Sequence, residues 1–322
     1  MKFSVVTPLW QDRPASENLE VAINADRLGF SELWIGEMAT YDAFTFATAV
    51  GNKTERISLT CGPLAVSVRT PMNMAMGIAS VADLTGRQVN LALGTSSTVV
   101  VEEWHGRQRK KVARHLAETS QIVRGLLSGE KVNFKGEQEH CMGYRLRLAA
   151  PQSALTIAAF GPQAVQVAAQ YSDRMVLNMV TPQSLSILRQ QMEDAAERYS
   201  KPAPKLAVWL TCAVAPTSEA VNQVLRAVVG YLAAPGYSEM IAAAGFEDLV
   251  AFAKTRPHPK ALLAALPDEL ASAIGIIGTA EQVHERIHQY QAAGADEICL
   301  VPVTAGDAGG VGTLTTMSKR YL

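Results

Sequence analysis

Short apolar runs alternate with longer segments of helical periodicity along the chain. Eight of these runs are apolar at nearly every position rather than at every second one. Continuous runs of this kind indicate parallel strands that are buried on both faces of a sheet. The predicted strands are FSVVTPL (3–9), ELWIGE (32–37), ISLTCGPLAV (57–66), QVNLALG (88–94), LTIAAF (155–160), RMVLNMV (174–180), KLAVWLTCAV (205–214) and EICLVPV (297–303).

The number of strand–helix repeats distinguishes two α/β architectures. A doubly wound sheet usually has about five to seven strands, whereas eight repeats complete a closed barrel. The pattern therefore favours a (β/α)8 TIM barrel with insertions over a doubly wound sheet. The clearest helix lies before the last strand, where Thr279 is the predicted N-cap, Gln282 completes a capping box and Gly294 ends the helix. Its predicted buried stripe is Val283, Ile287 and Tyr290.

We expect one domain over residues 1–322, with insertions at about 109–150 and 218–275. Barrels of this length are commonly single domains, and their insertions cover the carboxyl ends of the strands or form a dimer face. The first insertion contains a helical stripe followed by the polar segment VNFKGEQEHCMGYRLR, which is a candidate hairpin. The second is rich in alanine and is interrupted by Pro235-Gly236 and by PHP at 257–259.

Composition narrows the classes of partner. The formal net charge is −1 and 48% of residues are hydrophobic, so we expect a compact globule that binds neither nucleic acid nor a membrane. A basic cluster at 109–111 is weak counter-evidence. The N-terminus lacks the features of a signal peptide, which predicts a cytoplasmic protein. The four cysteines show no metal-ligand spacing, so we interpret them as reduced and structural and predict no metal site.

The candidate chemistry begins at LALGTSSTVVVEEWHGR, residues 91–107. The strand breaks at Gly94 into Thr95, Ser96 and Ser97, which offer backbone N–H groups and hydroxyls to a phosphate or another oxyanion. The alternative is that these small residues only turn the chain and cap the next helix.

Two further strand ends carry glycine followed by proline. Gly161 and Pro162 lead from a strand into a helix, whose first N–H groups could also face an anion; the alternative is an ordinary turn between strand and helix. Consecutive parallel strands of a barrel are neighbours, so we expect this turn to lie next to Thr95 and Ser96. At the third strand end, Gly62 and Pro63 are a candidate cis peptide.

Taken together, these segments resemble the bacterial luciferase-like family of flavin and deazaflavin oxidoreductases. The similarity covers nearly the whole chain, and it is greatest to the branch that uses the deazaflavin coenzyme F420. The segments that carry it are ELWIGEMATYDAFTFAT, RTP at 69–71, DLTGRQVNLALGTS, VVEEWHG, IAAFGP and AGADEICLVP.

The resemblance implies a (β/α)8 barrel whose strand-end loops hold the cofactor. It places Thr95 and Ser96 on the phosphate side and assigns Gly161 and Pro162 to the same cofactor chain. It also places a bulge with a cis peptide, here Gly62-Pro63, against the cofactor ring. FMN is the alternative cofactor, because its phosphate could occupy the same loops.

The chain departs from its relatives at the position of the catalytic acid, because relatives often carry a histidine after the second strand where this chain has Glu37. A Glu37 carboxylic acid could donate the proton, or it could bind backbone amides. Glu102 and His105 are the other candidates. The alternatives are a solvated helix start for Glu102 and the neighbouring Glu103, and a packed surface pair for Trp104 and His105.

The resemblance thus predicts an oxidoreductase that transfers a hydride between coenzyme F420 and a small organic substrate, in a cytoplasmic homodimer. The alternatives are an FMN-dependent monooxygenase that uses dioxygen, and a flavin-binding protein without turnover.

Overall fold

The computed structural model describes residues 1–37 and 39–322. All eight predicted strands are present. Three further strands are also present: the two strands of a hairpin and one short strand near the C-terminus. In chain order the strands are β1 (Lys2–Val6), β2 (Glu32–Ile35), β3 (Ser58–Ala65), β4 (Val89–Gly94), β5 (Lys131–Lys135), β6 (His140–Arg145), β7 (Leu155–Ala158), β8 (Arg174–Asn178), β9 (Lys205–Val214), β10 (Ile276–Gly278) and β11 (Glu297–Pro302).

Helices occupy most of the segments between the strands. They are α1 (Glu17–Arg27), α2 (Ala43–Gly51), α3 (Pro71–Thr85), α4 (Val112–Leu127), α5 (Pro162–Tyr171), α6 (Pro182–Arg198), α7 (Ser218–Val228), α8 (Tyr237–Ile241), α9 (Glu247–Lys254), α10 (Pro259–Ala264), α11 (Glu269–Ile274), α12 (Ala280–Ala292) and α13 (Val311–Tyr321). Single turns of π-helix span Val99–Trp104 and Ala242–Phe246, and a 3-10 turn spans Ala308–Gly310.

The strand order is β10–β9–β11–β1–β2–β3–β4–β7–β8, and β9 also pairs with β8, which closes the sheet. The eight predicted strands therefore form a parallel barrel, and the predicted (β/α)8 fold is confirmed. The short strand β10, which the sequence did not predict, adds to β9. Three residues are too few to show a hydrophobic period in the sequence. The strand β10 forms because its backbone pairs with the neighbouring strand β9.

Contacts between Cα atoms divide the chain into two units. One unit comprises Ser31–Val176 and Gln190–Leu206, and the other comprises Met1–Phe30, Leu177–Arg189 and Ala207–Leu322. We call them unit I and unit II in that order. The expectation of a single domain stays a prediction.

Both predicted insertions have definite structure. In unit I, β5 and β6 form the predicted antiparallel hairpin. The carboxylate of Glu118 on α4 accepts hydrogen bonds from the backbone N–H groups of Glu137, Gln138 and Glu139 at 2.7–2.9 Å, and so holds the hairpin loop. In unit II, Tyr231 and Tyr237 hydrogen-bond Asn178, the last residue of β8.

Local signals explain several helix boundaries. The Asp42 carboxylate accepts the Thr45 N–H at 2.8 Å at the start of α2. The predicted capping box of α12 is confirmed, since the Thr279 and Gln282 side chains each accept the other residue's backbone N–H. The predicted stripe on α12 is buried.

A buried polar network joins the five barrel strands of unit I, which are β2, β3, β4, β7 and β8. Arg174 on β8 makes a two-pronged ion pair with Glu32 on β2, at 2.7 and 3.0 Å, and donates to Thr156 on β7 at 3.1 Å. Asn90 on β4 donates to Glu32 at 3.3 Å, and Thr60 on β3 also donates to this carboxylate. The Arg174 guanidinium lies over the Trp34 ring at 4.1 Å. Each of these five barrel strands thus contributes a polar group to one network.

Across residues 1–37 and 39–322, no helix has both the length and the apolar character needed to cross a membrane.

All four cysteines are free thiols, and Cys61, Cys212 and Cys299 are buried. Burial raises the pKa of the Cys61 thiol to about 12, so this thiol stays protonated and packs as an apolar group.

The Glu32–Arg174 pair yields a stability prediction. Arg174→Met should lower the free energy of unfolding by about 3–5 kcal/mol, because it leaves a buried carboxylate without its partner. The double variant Glu32→Leu/Arg174→Met should recover part of that loss, since neither charge then remains buried. Urea unfolding followed by circular dichroism measures both. A double variant that is less stable than the single one would contradict this account.

Candidate active site at the carboxyl ends of the strands

The predicted site residues of unit I lie at one end of its sheet. The strands β3, β4 and β7 are parallel neighbours, with Ala65 opposite Gly94 and Leu93 opposite Ile157. Because the strands are parallel, the segments that follow them emerge at the same end. Gly62 and Pro63 lie near the end of β3, Thr95 and Ser96 follow β4, and Gly161 follows β7.

A bulge at the end of β3 sets the shape of this end. The register shifts between Cys61, which lies opposite Leu91, and Leu64, which lies opposite Leu93. Gly62 has φ of +124°, and a Cβ atom there would lie 2.2 Å from the Ala92 carbonyl oxygen. Only glycine permits this close approach of two backbones. The predicted cis peptide between Gly62 and Pro63 is confirmed.

The segment after β4 is anchored by an arginine that the sequence did not identify. Arg109 donates to the Ser96 carbonyl at 3.1 Å and to the Thr95 hydroxyl at 3.3 Å. The Glu102 carboxylate in turn accepts the Arg109 N–H at 3.2 Å. The segment therefore presents a hydroxyl and a guanidinium side by side, a combination suited to a phosphate. We call residues 95, 96, 109, 161 and 162 the strand-end cradle.

The other half of the strand-end cradle is the start of α5. Gly161 precedes the helix with φ of −81°, Pro162 occupies its first turn, and the Val165 N–H donates to the Gly161 carbonyl at 3.0 Å. The first N–H groups of a helix have no acceptor within it and attract anions. Nothing lies within 4 Å of where a Cβ would stand on Gly161. Packing therefore does not require glycine here, and the helix start is open to a ligand.

Glu37 binds a backbone amide, which is the alternative to proton donation that the sequence left open, and it also binds an arginine side chain. Its carboxylate accepts two hydrogen bonds from Arg69, at 2.5 and 2.9 Å, and one from the Ala43 N–H at 3.2 Å. Arg69 also pairs with Asp42 and lies 5.0 Å from the centre of the Phe44 ring. Glu37 thus joins the loop after β2 to the turn after β3. The proton-donor role predicted for Glu37 stays a prediction.

The same pairing shifts two pKa values. The hydrogen bond with Glu37, followed by that with Asp42, raises the pKa of Arg69, although burial opposes the shift. Burial by itself would raise the pKa of Asp42, but hydrogen bonds from Thr45 and Arg69 outweigh it and hold that pKa below its usual value. Arg69 therefore stays charged beside two acidic side chains.

The remaining candidates lie on the π-helical turn Val99–Trp104 and just after it. Glu102, Glu103 and His105 are exposed, and Trp104 is 54% exposed. His105 ends the turn by donating its N–H to the Val100 carbonyl at 3.2 Å. The structure thus places Glu102 within reach of the strand-end cradle through Arg109, while the positions of Glu103, Trp104 and His105 are those of a solvated turn.

Comparison with known proteins yields consistent matches. Residues 1–297 match the family model of luciferase-like monooxygenases. A putative coenzyme F420-dependent oxidoreductase of Mycobacterium tuberculosis is 24% identical over 98% of this chain and 99% of its own length.

Two solved structures share the fold. Coenzyme F420-dependent tetrahydromethanopterin reductase from Methanopyrus kandleri has a TM-score of 0.86 at 15% identity, covering 99% of this chain and 98% of its own. The oxygenating constituent of 3,6-diketocamphane monooxygenase from Pseudomonas putida, in complex with FMN, has a TM-score of 0.76 at 15% identity, covering 99% and 97%.

Two glycines of the site should differ in their response to substitution. Gly62→Ala should lower the free energy of unfolding by about 2–4 kcal/mol, because it adds a Cβ at positive φ against the Ala92 carbonyl. Gly161→Ala should change it by less than about 0.5 kcal/mol, since the space is open and φ is negative. Thermal and urea unfolding measure both, and equal losses would contradict the assignment of the bulge.

Proposed function

This chain belongs to the luciferase-like monooxygenase family, and we propose that it is an oxidoreductase that moves a hydride between coenzyme F420 and a small organic substrate. The observation that carries the proposal is the strand-end cradle next to the β3 bulge. It combines the Thr95 hydroxyl, the Arg109 guanidinium and the open start of α5 at the ends of adjacent strands. A phosphate-bearing cofactor fits these groups.

In this proposal each group of the strand-end cradle has a separate task. Arg109 and Thr95 bind the cofactor phosphate from one side, and the first N–H groups of α5 bind it from the other. The bulge at Gly62-Pro63 supports the cofactor ring. When bound, the deazaflavin supplies the hydride chemistry, and the protein supplies orientation and the proton.

Two observations favour F420 over FMN. The relative from Mycobacterium tuberculosis and the structural neighbour from Methanopyrus kandleri both carry F420 in their names. The side chains at 95, 96 and 161 are small, which leaves room for a longer phosphodiester chain. An FMN-dependent monooxygenase is the second candidate, because the neighbour from Pseudomonas putida contains FMN.

The three predicted catalytic residues need separate roles. Glu37 contacts Arg69, and Glu102 contacts the backbone of Arg109. We therefore propose that both carboxylates are positioning residues, each holding an arginine at the strand ends. Catalysis by Glu37, Glu102 or His105 stays a prediction, as do the homodimer and the cytoplasmic location.

Equilibrium titration of F420 and FMN side by side tests the choice of cofactor. We expect micromolar or tighter binding of F420 and weaker binding of FMN. Each reduced cofactor is then supplied in turn and oxygen uptake is recorded, since a deazaflavin reacts poorly with dioxygen whereas reduced FMN consumes it. Binding of FMN alone with oxygen uptake would support the monooxygenase, and binding of neither would refute the proposal.

Arg109 provides a sharper test of the strand-end cradle. Arg109→Ala should weaken binding of the preferred cofactor roughly 10-fold or more, because a charged hydrogen bond to phosphate is lost. Arg107→Ala is the matched control, since Arg107 is exposed two residues away in the same segment. Fluorescence titration measures both variants. Equal affinities for the two would remove Arg109 from the site.

A further inference from the structure

Three side chains of unit I form a hydrogen-bonded chain that the proposed cofactor contacts do not use. The Ser67 hydroxyl lies 3.4 Å from Nδ1 of His115, and Nε2 of His115 lies 2.8 Å from the Glu139 carboxylate. The His115 and Glu139 side chains are only 14% and 17% exposed. A hydroxyl, an imidazole and a carboxylate in this order can pass a proton along the chain.

Ser67 lies close to the strand-end cradle along the chain. It lies in the turn after the β3 bulge, where the Val68 and Arg69 N–H groups both donate to the Ala65 carbonyl. The preceding residue, Val66, donates its N–H to the Gly94 carbonyl at 3.0 Å, next to Thr95. Ser67 therefore follows directly on the strand end beside the strand-end cradle, and it is linked through His115 on α4 to Glu139 in the hairpin loop.

The Glu139 side chain is not needed to hold its loop. The Glu118 carboxylate already binds the three backbone N–H groups at 137–139, and the Gly136 N–H donates to the Glu139 carbonyl at 2.9 Å. The Glu139 carboxylate is thus free to orient His115. With Nε2–H donated to Glu139, Nδ1 of a neutral His115 can accept the Ser67 hydroxyl proton.

We propose that Ser67, His115 and Glu139 are the proton relay of the reaction, an inference that rests on the proposed function. In the direction of reduction, a carbonyl substrate takes a hydride at carbon from the reduced deazaflavin and a proton at oxygen from Ser67. Protonated His115 returns a proton from Nδ1 to Ser67 and becomes neutral. Oxidation of the alcohol reverses both transfers, and Glu139 stabilises the imidazolium. In this assignment Ser67 is the catalytic residue, and His115 and Glu139 act through it.

The position of Glu37 strengthens this assignment. The Glu37 carboxylate accepts two hydrogen bonds from Arg69 and one from the Ala43 N–H, so its oxygens are already used to hold the loop after β2. The Ser67 hydroxyl offers a proton donor at the strand ends that leaves these contacts in place.

The first test needs neither cofactor nor substrate. In protein labelled with 15N-histidine, NMR at a pH where the His115 ring is neutral should show its proton on Nε2. Ser67→Ala should shift the Nδ1 resonance, and Glu139→Gln should alter the Nε2–H signal. His140→Gln is the matched control, since His140 is exposed on β6 and should leave the His115 signals in place. A neutral His115 ring that carries its proton on Nδ1 in the wild type, or an Nδ1 resonance that Ser67→Ala does not move, overturns the relay.

The second test separates the relay from cofactor binding. With reduced F420 and acetone as the first probe of a panel of small ketones and aldehydes, Ser67→Ala should lower kcat about 100-fold and leave the Kd for F420 unchanged. Ser67→Thr should retain most of the activity because it keeps the hydroxyl. Added imidazole should restore part of the activity lost in His115→Gly, which a structural role would not produce.

The two proposals fail in different ways. If the wild type binds neither F420 nor FMN, the proposed function fails together with the relay that rests on it. If the wild type binds F420 but reduces no member of the panel, carbonyl reduction by the relay is refuted and the choice of cofactor stands. If it turns over a ketone and Ser67→Ala is equally fast, only the relay is refuted.

Discussion

The buried ion pair between Glu32 and Arg174 is the interaction on which the rest of unit I depends. Two opposite charges are removed from water there, and they are tolerated only because each finds several partners on the intervening strands. A shift of one strand by a single residue would turn its polar side chain to the other face and leave a buried charge unpaired. The network therefore specifies register more than it adds stability, and it keeps the carboxyl ends of five strands aligned.

That alignment allows short, simple loops to form a site. Once β3, β4 and β7 end together, the bulge at Gly62, the hydroxyl of Thr95 and the start of α5 are neighbours without any long connecting segment. The basic side chains arrive from farther along the chain: Arg69 from the turn before α3, Arg109 from the segment before α4, and His115 from α4 itself. Acidic side chains hold two of these groups: Glu37 binds the Arg69 guanidinium, and Glu102 binds the backbone N–H of Arg109.

Several features of the fold and the site could be read from the residues alone. The parallel barrel follows from eight continuous apolar runs, because strands buried on both faces cannot carry an alternating pattern. The bulge follows from Gly62 and Pro63 inside such a run, and the boundaries of α12 follow from Thr279 and Gln282. Each of these leaves its signal within a few consecutive residues, so local composition reports it directly, although the contacts of the barrel and of the bulge reach other strands. The short strand β10 could not be found in this way, because it exists only as an addition to β9.

The sequence by itself determined the barrel, the strand ends that carry small polar residues, and the family to which they belong. Only the tertiary structure decided which side chains meet there. It assigned Glu37 to Arg69, 32 residues away in the chain, and placed Ser67 in line with His115 and Glu139 at separations of 48 and 24 residues. These partners come from different loops, and no periodicity or local motif encodes their meeting. Their distances follow from the alignment of the strands, which is a property of the folded sheet as a whole.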